Sequence, residues 1–349
     1  MSRLTELIQE LCPNGVEFKK IKEVYQRLKG TPITASKMKE IENPQGEIRI
    51  FAGGKTVINA KEIDIPNANI TRVPAVLVQS RGVIDAVYYD KPFTFKNEMW
   101  AYTTENPVSV KFLYYVLKNN MEYFRSAAAG MGSLPQISLP VTEDFEIPLP
   151  PIEVQREIVR ILDTFTELAA ELAAELAARK QQYAYYRDNL LTFRVDITRK
   201  SLDELCTISA AGDAPKDALS LTKTAEYQIP VISNGIGENA FYGYTDKPKI
   251  TEPAVTVAAR GTIGYAEYRD YPYYPIIRLL SVIPKNTAVL ATKYLYYCMQ
   301  GKKYNVPLGG IPQLTAPELK KVVIPVPPLP VQQRIVTVLD NFDAICSDL

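Results

Sequence analysis

The stretch "IPLPPIEVQREIVRILDTF" occupies residues 147–165, and "IPVPPLPVQQRIVTVLDNF" occupies residues 324–342. At a constant offset of 177 they pair Val154 with Val331, Gln155 with Gln332, Ile158 with Ile335, Val159 with Val336, Leu162 with Leu339, Asp163 with Asp340 and Phe165 with Phe342. In each copy a proline cluster comes first; proline fixes φ and lacks an N–H, so the chain cannot be helical there. Apolar residues every three or four positions follow, the spacing of one face of a helix. The same hinge and the same helix start are thus written twice.

The repeat extends upstream. "LPQIS" (134–138) pairs with "IPQLT" (311–315) at the same offset, "PAVLVQSRGVI" from Pro74 matches "PAVTVAARGTI" from Pro253, and "KFLYY" from Lys111 matches "KYLYY" from Lys293. The period far exceeds the roughly 20–50 residues of stacked repeats, so each copy is a domain. "IRIFAGG", "AVLVQSRG", "IDAVYYD" and "AVTVAARG" are short apolar segments bounded by turn residues and are predicted strands, whereas "VKFLYYVLKNNMEYF" has helical spacing. The expected class is α+β: two duplicated domains separated by a long helix. The divisions follow as a first unit with its proline hinge over 1–150, a central spacer helix over 151–195, a second unit over 196–323 and the start of a second spacer helix over 324–349.

No proline or glycine interrupts Val154 to Asn189, and Ile158, Ile161, Leu162, Phe165, Leu168, Leu172 and Leu176 recur at helical spacing. At about 1.5 Å per residue such a helix spans about 54 Å and acts as a spacer whose apolar stripe needs a partner helix. The helix opened by the second copy is the expected partner, cut short at Leu349. Within the spacer "ELAA" is written three times, from Glu167 to Ala178. Four residues advance a helix by about 6 Å and rotate it by about 40° net. One base pair advances DNA by about 3.4 Å and rotates it by about 35°, so the unit is a candidate ruler as well as good helix-forming sequence.

A length of 349 residues suits two domains, and 46% apolar with 23% charged residues describes a globular chain. No apolar run approaches a membrane span, and the charges in "MSRLTELIQELCPNGVEF" leave no secretory apolar core, so a cytoplasmic location is expected. Cys12, Cys206, Cys298 and Cys346 form no CxxC pair. The absence of histidine excludes Ser-His-Asp and Cys-His catalysis and HExxH metal sites. A net charge of +1 announces no nucleic-acid partner by itself, so any such function needs local patches.

Several motifs fail on inspection. "RIFAGGKT" (49–56) ends like a phosphate-binding loop, but Arg49 stands where the first glycine belongs; "GIGENA" (235–240) fits a dinucleotide fingerprint only as letters, since "FYGYT" follows in place of a helix. "NPQG" and "NPVS" do not make an adenine methyltransferase tetrapeptide, and no carboxylate set has metal or nuclease spacing. The repeated turns carry more. "SRG" (80–82) and "ARG" (259–261) set an arginine beside a glycine after a strand, while "GSLPQIS" and "GGIPQLT" set amide and hydroxyl groups in a proline-fixed loop. Arginine reads guanine or phosphate bidentately and glutamine or asparagine reads adenine; tight turns whose polar groups merely face water fit equally well. The 22 tyrosines, "DYPYYP" (270–275) among them, are expected mainly in the core and its rim.

The order of variable unit, proline hinge, long helix ending "ARKQQYAYYRDNLLTF", second variable unit and second hinge resembles the DNA-specificity subunit of type I restriction-modification systems, as does "CPNGVEFKKIKEV" near the start. The resemblance covers the whole chain. It implies that each variable unit is a target-recognition domain for one half of a split site in double-stranded DNA, and that the helices form a coiled-coil spacer docking two methyltransferase subunits, with motor-nuclease subunits joining. It implies no catalysis and no cofactor in this chain, with S-adenosylmethionine, ATP and magnesium held by partners. Residues expected to approach DNA are Lys55, Ser80, Arg81, Ser133, Gln136, Asn234, Arg260, Arg278 and Gln313; those expected at a partner interface are Ile158, Leu162, Phe165, Leu168, Leu172 and Leu176. Self-association through the incompletely partnered helix is a further expectation. The competing readings are a duplicated scaffold that binds only proteins and, behind it, an enzyme acting alone.

Overall fold

A computed structural model describes residues 2–128, 134–193, 196–304 and 312–347, and the chain divides into two compact units, Met1–Ala170 and Glu171–Leu349. The first opens with the helix Arg3–Leu11, capped by the Ser2 hydroxyl accepting from the Thr5 N–H. Its strands are β1 (Phe18–Lys20), β2 (Gln26–Leu28), β3 (Ile48–Phe51), β4 (Val57–Ala60), β5 (Ala75–Gln79), β6 (Asp85–Tyr89), β7 (Phe93–Phe95), β8 (Trp100–Thr103) and β9 (Glu146–Pro148). They form an antiparallel sheet ordered β2-β8-β5-β6, a three-stranded sheet β4-β3-β7 in which β3 and β7 run parallel, and the pair β1-β9. Every residue of β5 is buried, because the strand is central to its sheet.

The second unit repeats this plan strand for strand. β10 (Arg199–Ser201), β11 (Cys206–Ala210), β12 (Ile229–Ile232), β13 (Phe241–Thr245), β14 (Ala254–Ala258), β15 (Ala266–Arg269), β16 (Tyr274–Pro275), β17 (Leu279–Pro284) and β18 (Val323–Pro325) give the sheets β11-β17-β14-β15 and β13-β12-β16 and the pair β10-β18. Here too one pairing of the three-stranded sheet, β12 with β16, is parallel. The duplication seen in the letters is a duplication of topology, and the class is α+β as expected.

Behind each four-stranded sheet lies a helix carrying the repeated aromatic motif, Pro107–Asn119 in the first unit and Thr292–Met299 in the second. The predicted helix "VKFLYYVLKNNMEYF" breaks at Asn120, after which Met121–Ala127 forms a separate short helix. Each hinge leads into a helix, Ile152–Leu191 (40 residues) and Leu329–Ser347 (19 residues). A glutamine fixes each start: the Gln155 amide donates to the Pro150 carbonyl at 2.8 Å, and that of Gln332 to Pro327 at 2.8 Å. Each amide thereby satisfies a hinge carbonyl that lies just before the first helical turn.

The repeated "KFLYY" and "LDTF" motifs meet in space. Lys111 Nζ lies 2.7 Å from Asp163 Oδ2 while the Tyr115 hydroxyl donates to Asp163 Oδ1 at 2.5 Å. In the second unit Lys293 Nζ lies 2.8 Å from Asp340 Oδ2 and the Tyr297 hydroxyl donates to its other oxygen. The sequence held the signal, since Lys and Tyr four residues apart share a helix face. The C-terminal part of the Ile152–Leu191 helix packs within the second unit: Tyr183 joins the core with Ile335 and Leu339, and Tyr186 stacks on Phe342 at 5.2 Å.

Candidate nucleic-acid interface

In the first unit three strand-to-strand turns and the "LPQIS" segment converge. The β5–β6 turn carries Ser80 and Arg81, with Gly82 at φ +78, a backbone conformation that favours glycine. The Ile137 N–H donates to the Ser80 carbonyl at 2.9 Å and the Gly82 N–H to the Pro135 carbonyl at 2.8 Å, which places Gln136 directly opposite Arg81. From the β3–β4 turn, the Gly54 N–H donates to the Arg81 carbonyl at 3.2 Å. Glu98, in the β7–β8 turn, accepts from the Gly53 N–H at 2.9 Å and from Lys96 at 2.8 Å, while the Ser80 hydroxyl donates to the Glu98 carbonyl. Burial pushes the Glu98 carboxyl up, but Lys96 and the Gly53 N–H outweigh it and hold it below its ordinary value.

The second unit builds the same cluster with different parts. The Leu314 N–H donates to the Ala259 carbonyl at 2.8 Å, the counterpart of Ile137 to Ser80, so "ARG" and "IPQLT" meet as "SRG" and "LPQIS" do. Whereas the Arg81 carbonyl accepts a backbone N–H, that of its counterpart Arg260 takes the Asn234 side-chain amide at 2.7 Å. Thr262 donates its hydroxyl to the Asn234 carbonyl at 3.0 Å. In the β16–β17 turn Arg278 donates to Gln313 Oε1 at 2.5 Å.

All but one of the sequence-predicted residues can be placed. Lys55, Arg81, Gln136 and Arg278 are exposed, and Asn234, Arg260 and Gln313 are partly so, all on these turns. Ser80 is buried, with its hydroxyl committed inside the loop. Ser133 lies outside the described residues. Among the described residues no carboxylate pairs with Lys55, Arg81, Arg260 or Arg278. A free guanidinium on a rigid turn, beside an amide, offers the donors that a phosphate or a guanine edge accepts. Of the helix residues, Ile158 and Leu162 are half-buried and face a cavity lined also by Ile8, Phe112 and Val116, whereas Phe165, Leu168 and Leu172 are exposed and Leu176 is half-buried. Two residues escaped the sequence reading. Glu98 has no repeat partner to flag it, and Ile277 gives no sign in the letters of its left-handed backbone, φ +50.

One fold is thus present twice, and each copy carries on its converging turns an arginine without a carboxylate partner among the described residues, Arg81 or Arg260, close to a segment that bears a glutamine. The model of the type I restriction-modification DNA specificity domain matches residues 13–178 and again 194–349, and the chain belongs to this family. It is 29% identical over 335 residues to a Mycoplasma pneumoniae protein described as a type I specificity subunit, covering 92% of this chain and 87% of that one. It is 29% identical over 275 residues to the specificity subunit of the Escherichia coli enzymes EcoR124I/EcoR124II, covering 70% of this chain and 66% of the relative. The crystal structure of a type I S subunit from M. genitalium shares the fold with a TM-score of 0.64 at 17% identity, over 96% of this chain and 91% of that one. Among the described residues no helix is long and apolar enough to cross a membrane.

Proposed function

We propose that this chain is the DNA-reading subunit of a type I restriction-modification complex, each unit reading one half of a split site in double-stranded DNA. The observation that carries this is the doubled cluster in which Arg81 meets Gln136 and Arg260 meets the "IPQLT" segment through matching backbone hydrogen bonds. The chain is the non-catalytic member: it directs adenine methylation or ATP-dependent cleavage by two methyltransferase subunits and by motor-nuclease subunits, which would hold S-adenosylmethionine, ATP and magnesium. A net charge of +1 fits a subunit whose partners supply part of the phosphate contacts, on which nucleic-acid affinity largely rests.

The test is to assemble the chain with its methyltransferase subunits, map the methylated motif and measure binding to that duplex against a scrambled one. Arg81→Ala and Arg260→Ala should each weaken specific binding by about 1–3 kcal/mol and relax the motif in one half only. Uniform weakening without a change of motif would make the arginine a phosphate contact, and unchanged affinity and motif in both variants would leave these residues as turn formers. An assembly that retains no duplex specifically would favour the protein-only scaffold.

A further inference from the structure

The turn between β16 and β17 breaks a local rule. Its central residues Ile277 and Arg278 have φ of +50° and +56°, and the Leu279 N–H closes it by donating to the Ile276 carbonyl at 3.2 Å. Two consecutive positive φ values make a type I′-like turn, which selects Asn-Gly because those residues tolerate that region. A β-branched isoleucine there is strained. Among the described residues only Asn67 shares this condition without being glycine, and the equivalent turn of the first unit, Lys96–Met99, does not. The strain is held in place: the Ile277 N–H donates to the Gly212 carbonyl at 3.0 Å and the Ile276 N–H to the Ile232 carbonyl at 2.8 Å.

That strain gains nothing in the core, because Ile277 is 47% exposed. The turn sets an apolar side chain on the surface next to the Arg278–Gln313 pair, within the loop cluster read above as the DNA-facing surface. Backbone outliers that the surrounding structure enforces concentrate where a ligand is gripped. In the major groove guanidinium and amide groups read hydrogen-bonding edges, and the apolar feature a neighbouring side chain can read is the 5-methyl group of thymine.

Resting on the proposed function, we infer that Ile277 is a specificity-determining residue of the second unit, packing against the 5-methyl group of a thymine in its half-site.

The experiment uses the assembled methyltransferase complex and cognate duplexes in which each thymine of that half-site, on either strand, is replaced in turn by uracil, which lacks only the methyl group. For the wild type, one replacement should weaken binding about three- to tenfold. Ile277→Gly, whose backbone accepts the turn without strain, should bind the unmodified duplex weaker by a similar factor, be indifferent to that same uracil, and unfold at an equal or higher temperature than wild type. Ile277→Asn, also tolerant of positive φ, should behave alike. Equal uracil penalties in wild type and Ile277→Gly, wild-type affinity in Ile277→Gly, or a half-site without an A·T pair would overturn this inference alone. A wild-type complex with no specific retention of any duplex would overturn the functional reading and this inference with it.

Discussion

Glu98 shows how much a single side chain can organise. Through its carboxylate and its backbone carbonyl it ties together the Gly53 turn, Lys96 and Ser80, next to the exposed Arg81. A carboxyl whose pKa is lowered on folding contributes stability that is full above its unfolded value and is lost as the pH falls through the folded one. The Glu98 contribution should therefore persist above about pH 4.5, its ordinary value, and vanish below the lower value it has in the fold. Glu98→Gln should cost about 0.5–1 kcal/mol at pH 7, the side chain being 30% exposed, and the deficit against wild type should shrink as thermal unfolding is followed into acid. A deficit independent of pH would contradict this. Arg81, Arg260, Gln136 and Gln313 could be singled out from the sequence because duplication repeats them within matching motifs. Glu98 could not, because the second unit joins its turns with Asn234 and the Arg278–Gln313 pair.

Elements behave likewise. The long helix was legible from its proline start and uninterrupted apolar spacing. The parallel pairings of β3 with β7 and of β12 with β16 were not, since they join segments about 40 residues apart that no local pattern links. The Lys-Asp-Tyr clusters bind each hinge helix to the helix behind its sheet, and burial together with the Asp163 hydrogen bond pushes the Tyr115 hydroxyl up to about 12. Asp163→Asn and Asp340→Asn should each destabilise by about 1 kcal/mol, the carboxylates being 27% and 34% exposed. Because they lie in different units their effects should add in denaturant unfolding, and strong non-additivity would refute the picture of separate clamps. The helix runs unbroken through all three "ELAA" units. A fourth should lengthen the unread gap of the methylated motif by one to two base pairs, about 6 Å of helix against about 3.4 Å per pair, and leave both half-site sequences unchanged. An unchanged gap on mapping would reduce the repeat to helix-forming sequence.

Across the whole molecule, the buried clusters divide cleanly: those around Leu77, Leu113 and Ile50 draw only on the first unit, and those around Val257 and Tyr273 only on the second. Neither core needs residues of the other, so exchanging residues 196–323 for the corresponding unit of a family member should change one half of the methylated motif and preserve the other. A change in both halves would show that reading is shared. Between the cores runs the stretch from Phe165 to Ala178, where only Leu176 is as much as half-buried. Its backbone order rests on the helix's own hydrogen bonds and on alanine-rich composition, which in water is marginal support. Within this helix the stretch is therefore expected to open before either end: its amides should exchange with solvent sooner than those of the packed turns around Val154 and Tyr183, and a partner sheathing it should slow that exchange, which turns the stretch into a measure of assembly.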